Sequence, residues 1–184
     1  MINEILGTDR YHSWWGERIF AKQRKDMSID KLINKALKEI EGPVNTASLW
    51  GVVSDVQTKE LFVLNVQEFF TNNLVKFAKS IAESKILMGI YSTEEQAYEC
   101  VETLGDIRVQ GPNLIQFPEW HLIMCNPVKN EIFSLSLREY YISCLAFFHY
   151  NVDSGNLPVA IFSSADAADA GIDFIRYTIR DENR

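Results

Sequence analysis

Apolar positions recur along the chain with two alternating periods. Short runs such as WGVVSD (50–55), ELFVLNV (60–66), WHLIMC (120–125) and EIFSLSL (131–137) have the length and β-branched or aromatic content of strands, and polar turn residues join them into two hairpins. After each hairpin the period lengthens. Phe70, Leu74, Phe77 and Ile81 fall at helical spacing, and so do Tyr141, Leu145, Phe148 and Val152. A third strand follows each helix, KILMGIYS (85–92) and NLPVAIFS (156–163), and then a short helix. Ser92 and Glu95 stand at the spacing of a capping box before the first of these short helices; Ser163 and Asp166 occupy the matching places before the second.

The two series are copies. Residues 60–104 aligned with 131–175 at a constant offset of 71 share nine identities in 45 positions, and the apolar pattern matches far more widely. Leu64/Leu135, Phe77/Phe148, Ile90/Ile161, Ala97/Ala168 and Val101/Ile172 are examples. Trp50 is expected to match Trp120, with one additional residue in the second hairpin turn. Residues 28–40, SIDKLINKALKEI, add a partial third copy of the short helix, and RIFAKQR (18–24) before it reads as a strand.

This pattern predicts an α+β fold in two layers, with helices on one face of a mainly antiparallel sheet built from a tandem internal ββαβα repeat. That order of elements is similar to ferredoxin-like folds, a resemblance that implies architecture alone. The expected organisation is a single compact domain over 1–184, with repeats at 48–104 and 118–175 and an N-terminal segment at 1–47. A chain of 184 residues, 47% hydrophobic and 23% charged, is long enough to bury a core without metal or disulfide staples.

Three widely spaced cysteines, Cys100, Cys125 and Cys144, sit inside apolar patterns as small hydrophobes and point to a reducing, cytoplasmic compartment. Neither a signal peptide nor an apolar run long enough to span a membrane is expected. The net charge of −7 is unevenly distributed: residues 1–40 hold eight Lys/Arg against six Asp/Glu, and the rest holds ten against nineteen. Such a balance argues against nucleic acid as a partner, since phosphate binding requires a concentrated basic face.

Motifs for chemistry are missing. The nine glycines form neither GxGxxG nor GxxxxGK[ST], and HExxH, CxxC and GxSxG are all missing, so no cofactor or metal is expected. His121 and Cys125 share a strand face without a second ligand pair. His149 follows two phenylalanines on a helix, and nothing nearby in the sequence identifies a catalytic partner for it. Glu68 and Glu139, the carboxylate pair that the repeat preserves, fall in first helical turns, where the helix dipole favours negative charge.

Charge patterning gives the candidate site. Lys31, Lys35 and Lys38 form a basic stripe on the first short helix, whereas Glu95, Glu99 and Glu102 form an acidic stripe on the second and Asp166, Asp169 and Asp173 another on the third. An aromatic cluster around Tyr11, Trp14, Trp15 and Phe20 is a further candidate patch. Together these features suggest a non-catalytic module that binds a basic protein partner, such as an immunity, antitoxin or other inhibitor protein. The alternative is a small-molecule-binding regulatory domain with its ligand between the duplicated halves, and an enzyme using Glu68, Glu139, His121 or His149 is a third reading. Partner identity, oligomeric state and binding face are not encoded in any motif.

Overall fold

A computed structural model describes residues 27–81, 85–104, 119–150 and 156–182, with backbone alone for 104 and 145–150. Helix α1 (Ile29–Glu39) and a single 3₁₀ turn (Thr46–Ser48) precede strands β1 (Trp50–Asp55) and β2 (Leu61–Asn65), helix α2 (Val66–Ala78), strand β3 (Lys85–Tyr91) and helix α3 (Glu94–Leu104). Strands β4 (His121–Asn126) and β5 (Glu131–Ser136), helix α4 (Leu137–Tyr150), strand β6 (Leu157–Phe162) and helix α5 (Ala165–Glu182) follow in the same order. The expected strand at 18–24 lies outside the described residues. The strands form two three-stranded antiparallel sheets, ordered β2-β1-β3 and β5-β4-β6.

The two sheets share irregularities as well as order. In the first, Val52 opposes Gly89 but Val53 opposes Leu87, so Met88 bulges; in the second, Ile123 opposes Ala160 but Met124 opposes Pro158, so Val159 bulges. The hairpin turns are also alike. Asp55 Oδ1 accepts the Gln57 and Thr58 N–H groups, Asn126 Oδ1 accepts those of Val128 and Lys129, and Lys59 and Asn130 close the turns at φ of 63° and 59°. Both turns therefore have the same length, which corrects the expected match of Trp50 with Trp120. Trp50 instead corresponds to His121: Trp50 opposes Asn65 and Tyr91, as His121 opposes Ser136 and Phe162.

Side-chain chemistry starts and stops the helices. Asn65 caps α2 by accepting the Gln67 and Glu68 N–H groups, and Ser136 with Glu139 forms a reciprocal capping box on α4. On α3 and α5 the cap lies one residue later than the sequence suggested: Thr93 Oγ1 accepts from Gln96 N and Ser164 Oγ from Ala167 N. Helix α2 also ends early. Ser80 turns at φ 56°, the Ser80 and Ile81 N–H groups return to the Phe77 and Lys76 carbonyls, and Ile81 is left 48% exposed rather than on the apolar face.

The first helix of each series crosses to the other sheet. Phe69 and Phe70 of α2 pack in a core with Val53, Leu87, Met124, Tyr140 and Tyr141, while Leu74 and Phe77 of the same helix join α1, α5 and β6 around Ile33, Ile123, Phe162 and Ile175. Two buried hydrogen bonds mark the crossings. Asn73 Nδ2 donates to the Pro158 carbonyl at 2.8 Å, and the Leu87 N–H donates to the Tyr140 hydroxyl at 2.9 Å. Leu87 and Pro158 are 71 positions apart, each beside its strand's bulge. The polarity of the two contacts is opposite, because proline has no N–H to give and its strand must accept where the other donates.

Candidate functional site

Helix α3 lies on the first sheet through Ala97, which is fully buried, with Cys100 and Val101 half-buried beside it. One contact orients the helix about its axis. The Tyr91 hydroxyl, rising from the end of β3, donates to Cys100 Sγ at 2.8 Å, so the Cys100 flank of α3 faces β3. The opposite flank and outer face carry exposed Glu95, Glu99 and Glu102 with Tyr98 among them, 52% exposed. None of these three carboxylates makes an ion pair among the described residues.

The other charged stripes are differently placed. On α5, Asp166, Asp169 and Asp173 are all exposed, but Asp169 accepts a 2.6 Å hydrogen bond from Ser134 of β5 and Asp173 pairs with Arg176 at 3.3 Å. On α1, Lys35 meets Glu182 at 2.6 Å, and that carboxylate raises the lysine's pKa by hydrogen bonding and charge. Lys31 and Lys38 are exposed. Tyr11, Trp14, Trp15 and Phe20 lie outside the described residues, as does the side chain of His149.

Of the other candidates, Glu139 is occupied by its capping box, and Glu68 sits exposed in the first turn of α2. His121 Nδ1 lies 3.0 Å from the Glu119 carbonyl, while Cys125 is fully buried and its thiol is pushed far up by burial. No group of three or more His, Cys, Asp and Glu suited to a metal ion occurs among the described residues.

A buried cluster of phenols and thiols, which no spacing along the chain groups together, sits where the two series meet. Tyr140, Tyr141 and Cys144 on α4 belong to the same core as Tyr91 on β3, with Cys100 packed against it. Burial is the main reason that all four buried members hold their protons tightly, with Cys144 pushed up to about 12. The unfolded chain releases such protons first, near the ordinary values of 9.0 for cysteine and 10.0 for tyrosine. Stability from this cluster is therefore fully present below about pH 9 and declines as pH rises toward 12. Urea midpoints measured from pH 8 to pH 10.5 should fall, and Tyr141→Phe should flatten the decline; a midpoint constant over that range contradicts the assignment.

No protein-family model, curated protein or solved structure matches this chain. No helix among the described residues is long and apolar enough to cross a membrane.

Proposed function

We propose that this chain is a non-catalytic protein-binding module, a small inhibitor of the immunity or antitoxin type, which docks a basic partner on the outer face of α3. In this reading the scaffold is one compact domain made of two ferredoxin-like ββαβα halves in tandem. The observation that carries it is the state of the α3 carboxylates: Glu95, Glu99 and Glu102 surround exposed Tyr98 with no ion pair among the described residues. Unpaired surface carboxylates add little to stability but steer an oppositely charged partner, and an aromatic among them supplies contact area. The α5 stripe serves less well, because Asp169 and Asp173 are already engaged within the chain.

The test uses a partner captured from the native host and then purified. Changing Glu95, Glu99 and Glu102 together to Lys should leave circular dichroism unchanged and weaken binding by roughly tenfold or more, mainly through slower association. Changing Asp166, Asp169 and Asp173 to Lys should have the smaller effect on binding. Association of the wild type should slow steeply with salt, since charges are screened within about 8–10 Å at physiological ionic strength. Affinity and rate indifferent to both reversals and to salt would remove charge from the mechanism.

A further inference from the structure

The open edge of the first sheet lies beside the acidic flank of α3. Within the hairpin, Asp55 N–H donates to the Glu60 carbonyl and Val66 N–H to that of Leu49, each at 3.0 Å. Antiparallel bonding alternates, so Gly51/Leu64 and Val53/Phe62 are the bonded pairs between them, and the backbone N–H and C=O groups of Leu61 and Val63 point away from β1. No strand pairs with that edge among the described residues. Nor does the strand carry an edge-guarding lysine or proline: its sequence is LFVLN, with every residue half-buried.

The side chains of Leu61 and Val63 lie on the α3 side of the sheet. Tyr91, whose hydroxyl reaches Cys100 of α3, covers Gly89 so closely that a Cβ there would sit 2.9 Å from its ring. Gly89 opposes Val52, and Val52 opposes Val63, which places all of them on one face. Around the helix, Tyr98 stands about 160° from Cys100, and Glu94, Glu95 and Glu102 stand within about 60° of Tyr98. With Cys100 turned to β3 and Ala97 to the sheet, Glu94 and Tyr98 are turned to β2, and Glu95 and Glu102 stand above them on the outer face.

The edges of the second sheet are differently used. The outer edge of β6 receives Pro43, bridged to Phe162, and the Val44 N–H, which donates to the Ile161 carbonyl at 2.8 Å. On β5, Ser134 takes up Asp169 of the overlying helix. At the equivalent place in the first sheet stand Val63 and Tyr98, and the neighbouring carboxylates make no ion pair among the described residues.

Resting on the reading that the partner is basic, we propose that the outer edge of β2 accepts an extended basic segment of that partner as an added strand. Its main chain pairs with Leu61 and Val63, and its alternate Lys or Arg side chains meet Glu94 and reach up the flank of α3 to Glu95 and Glu102. Main-chain pairing supplies affinity, and the carboxylates select the sequence.

A ten-residue peptide of alternating Lys and Val provides the probe, compared with the same peptide N-methylated at the valines so that it cannot pair. Titration into the full-length protein should shift the Leu61 and Val63 amide resonances and slow their hydrogen exchange, and N-methylation should weaken binding by roughly tenfold. A variant with Glu94, Glu95 and Glu102 changed to Lys should bind the unmodified peptide at least as much more weakly. Equal binding of both peptides, with charge reversal still effective, overturns the added strand while leaving the acidic docking face intact. Failure of both peptides to bind at millimolar concentration overturns it, as does finding the Leu61 and Val63 amides already protected in the free protein. The captured partner's response to salt and charge reversal judges the docking face separately.

Discussion

Replacing Phe77 by Ala should lower the free energy of unfolding by about 3–5 kcal/mol, the range for removing a buried phenylalanine from a close-packed core. Phe77 is 4% exposed, and it packs in the cluster that joins α1, α2, α5 and the second sheet. Losing the ring leaves a cavity that four separate elements would have to close. Urea unfolding followed by both far-ultraviolet circular dichroism and tryptophan fluorescence measures the loss. A change below about 1 kcal/mol would mean that the cluster collapses around the gap or that α2 does not sit as described. The matching change at Phe148 falls on a side chain outside the described residues.

Tyr140→Phe should cost about 1–3 kcal/mol, although it removes a single oxygen, because it strands a backbone donor without water. Leu87 is fully buried, and its N–H reaches the Tyr140 hydroxyl across the join between the two series. The substitution preserves ring volume and packing, which separates the hydrogen bond from the hydrophobic contribution. Amide exchange at Leu87 should accelerate selectively in this variant. A stability equal to the wild type's would show that a buried water takes the hydroxyl's place.

The elements were legible where local patterning and tertiary burial agree. β1 was expected at 50–55 and occurs at Trp50–Asp55; the helix expected at 28–40 occurs at Ile29–Glu39. Misplaced boundaries have identifiable causes. Helix α2 stops at a left-handed residue that is Ser80 instead of the glycine that signals such a stop, so Ile81 kept the apolar rhythm without the helix. Two adjacent hydroxyl residues precede each short helix, and nothing local selects Thr93 over Ser92 or Ser164 over Ser163. The extension of α5 beyond 175 follows from packing: Ile175 and Ile179 are buried with Ile33 and Ala36 of α1, a contact between distant parts of the chain.

The acidic stripes were likewise visible in spacing, but their availability was not. Asp169 is engaged by Ser134, 35 residues away on a neighbouring strand, whereas the residue corresponding to Asp169 in α3 is Tyr98 and that corresponding to Ser134 is Val63. That β2 is an outer strand among the described residues depends on strand order, which a run of five apolar and polar letters does not contain. The buried tyrosine and cysteine cluster escaped notice because each member reads singly as an ordinary core residue.

The opposed polarity of the two crossing hydrogen bonds determines which halves tolerate each other as neighbours. Suppose that two molecules exchanged segments so that a first half faced another first half. Phe69, which stands where the second half has Tyr140, would meet Leu87 and leave its amide hydrogen without an acceptor. Two second halves would set Cys144, a weak donor, where Asn73 serves the Pro158 carbonyl, and would bury the Tyr140 hydroxyl against a residue with no N–H. Like-with-like pairing thus forfeits buried hydrogen bonds that unlike pairing keeps. The divergence of a few side chains between two similar sequences disfavours assemblies that pair like halves and keeps each first half matched to a second, whether in the same molecule or another.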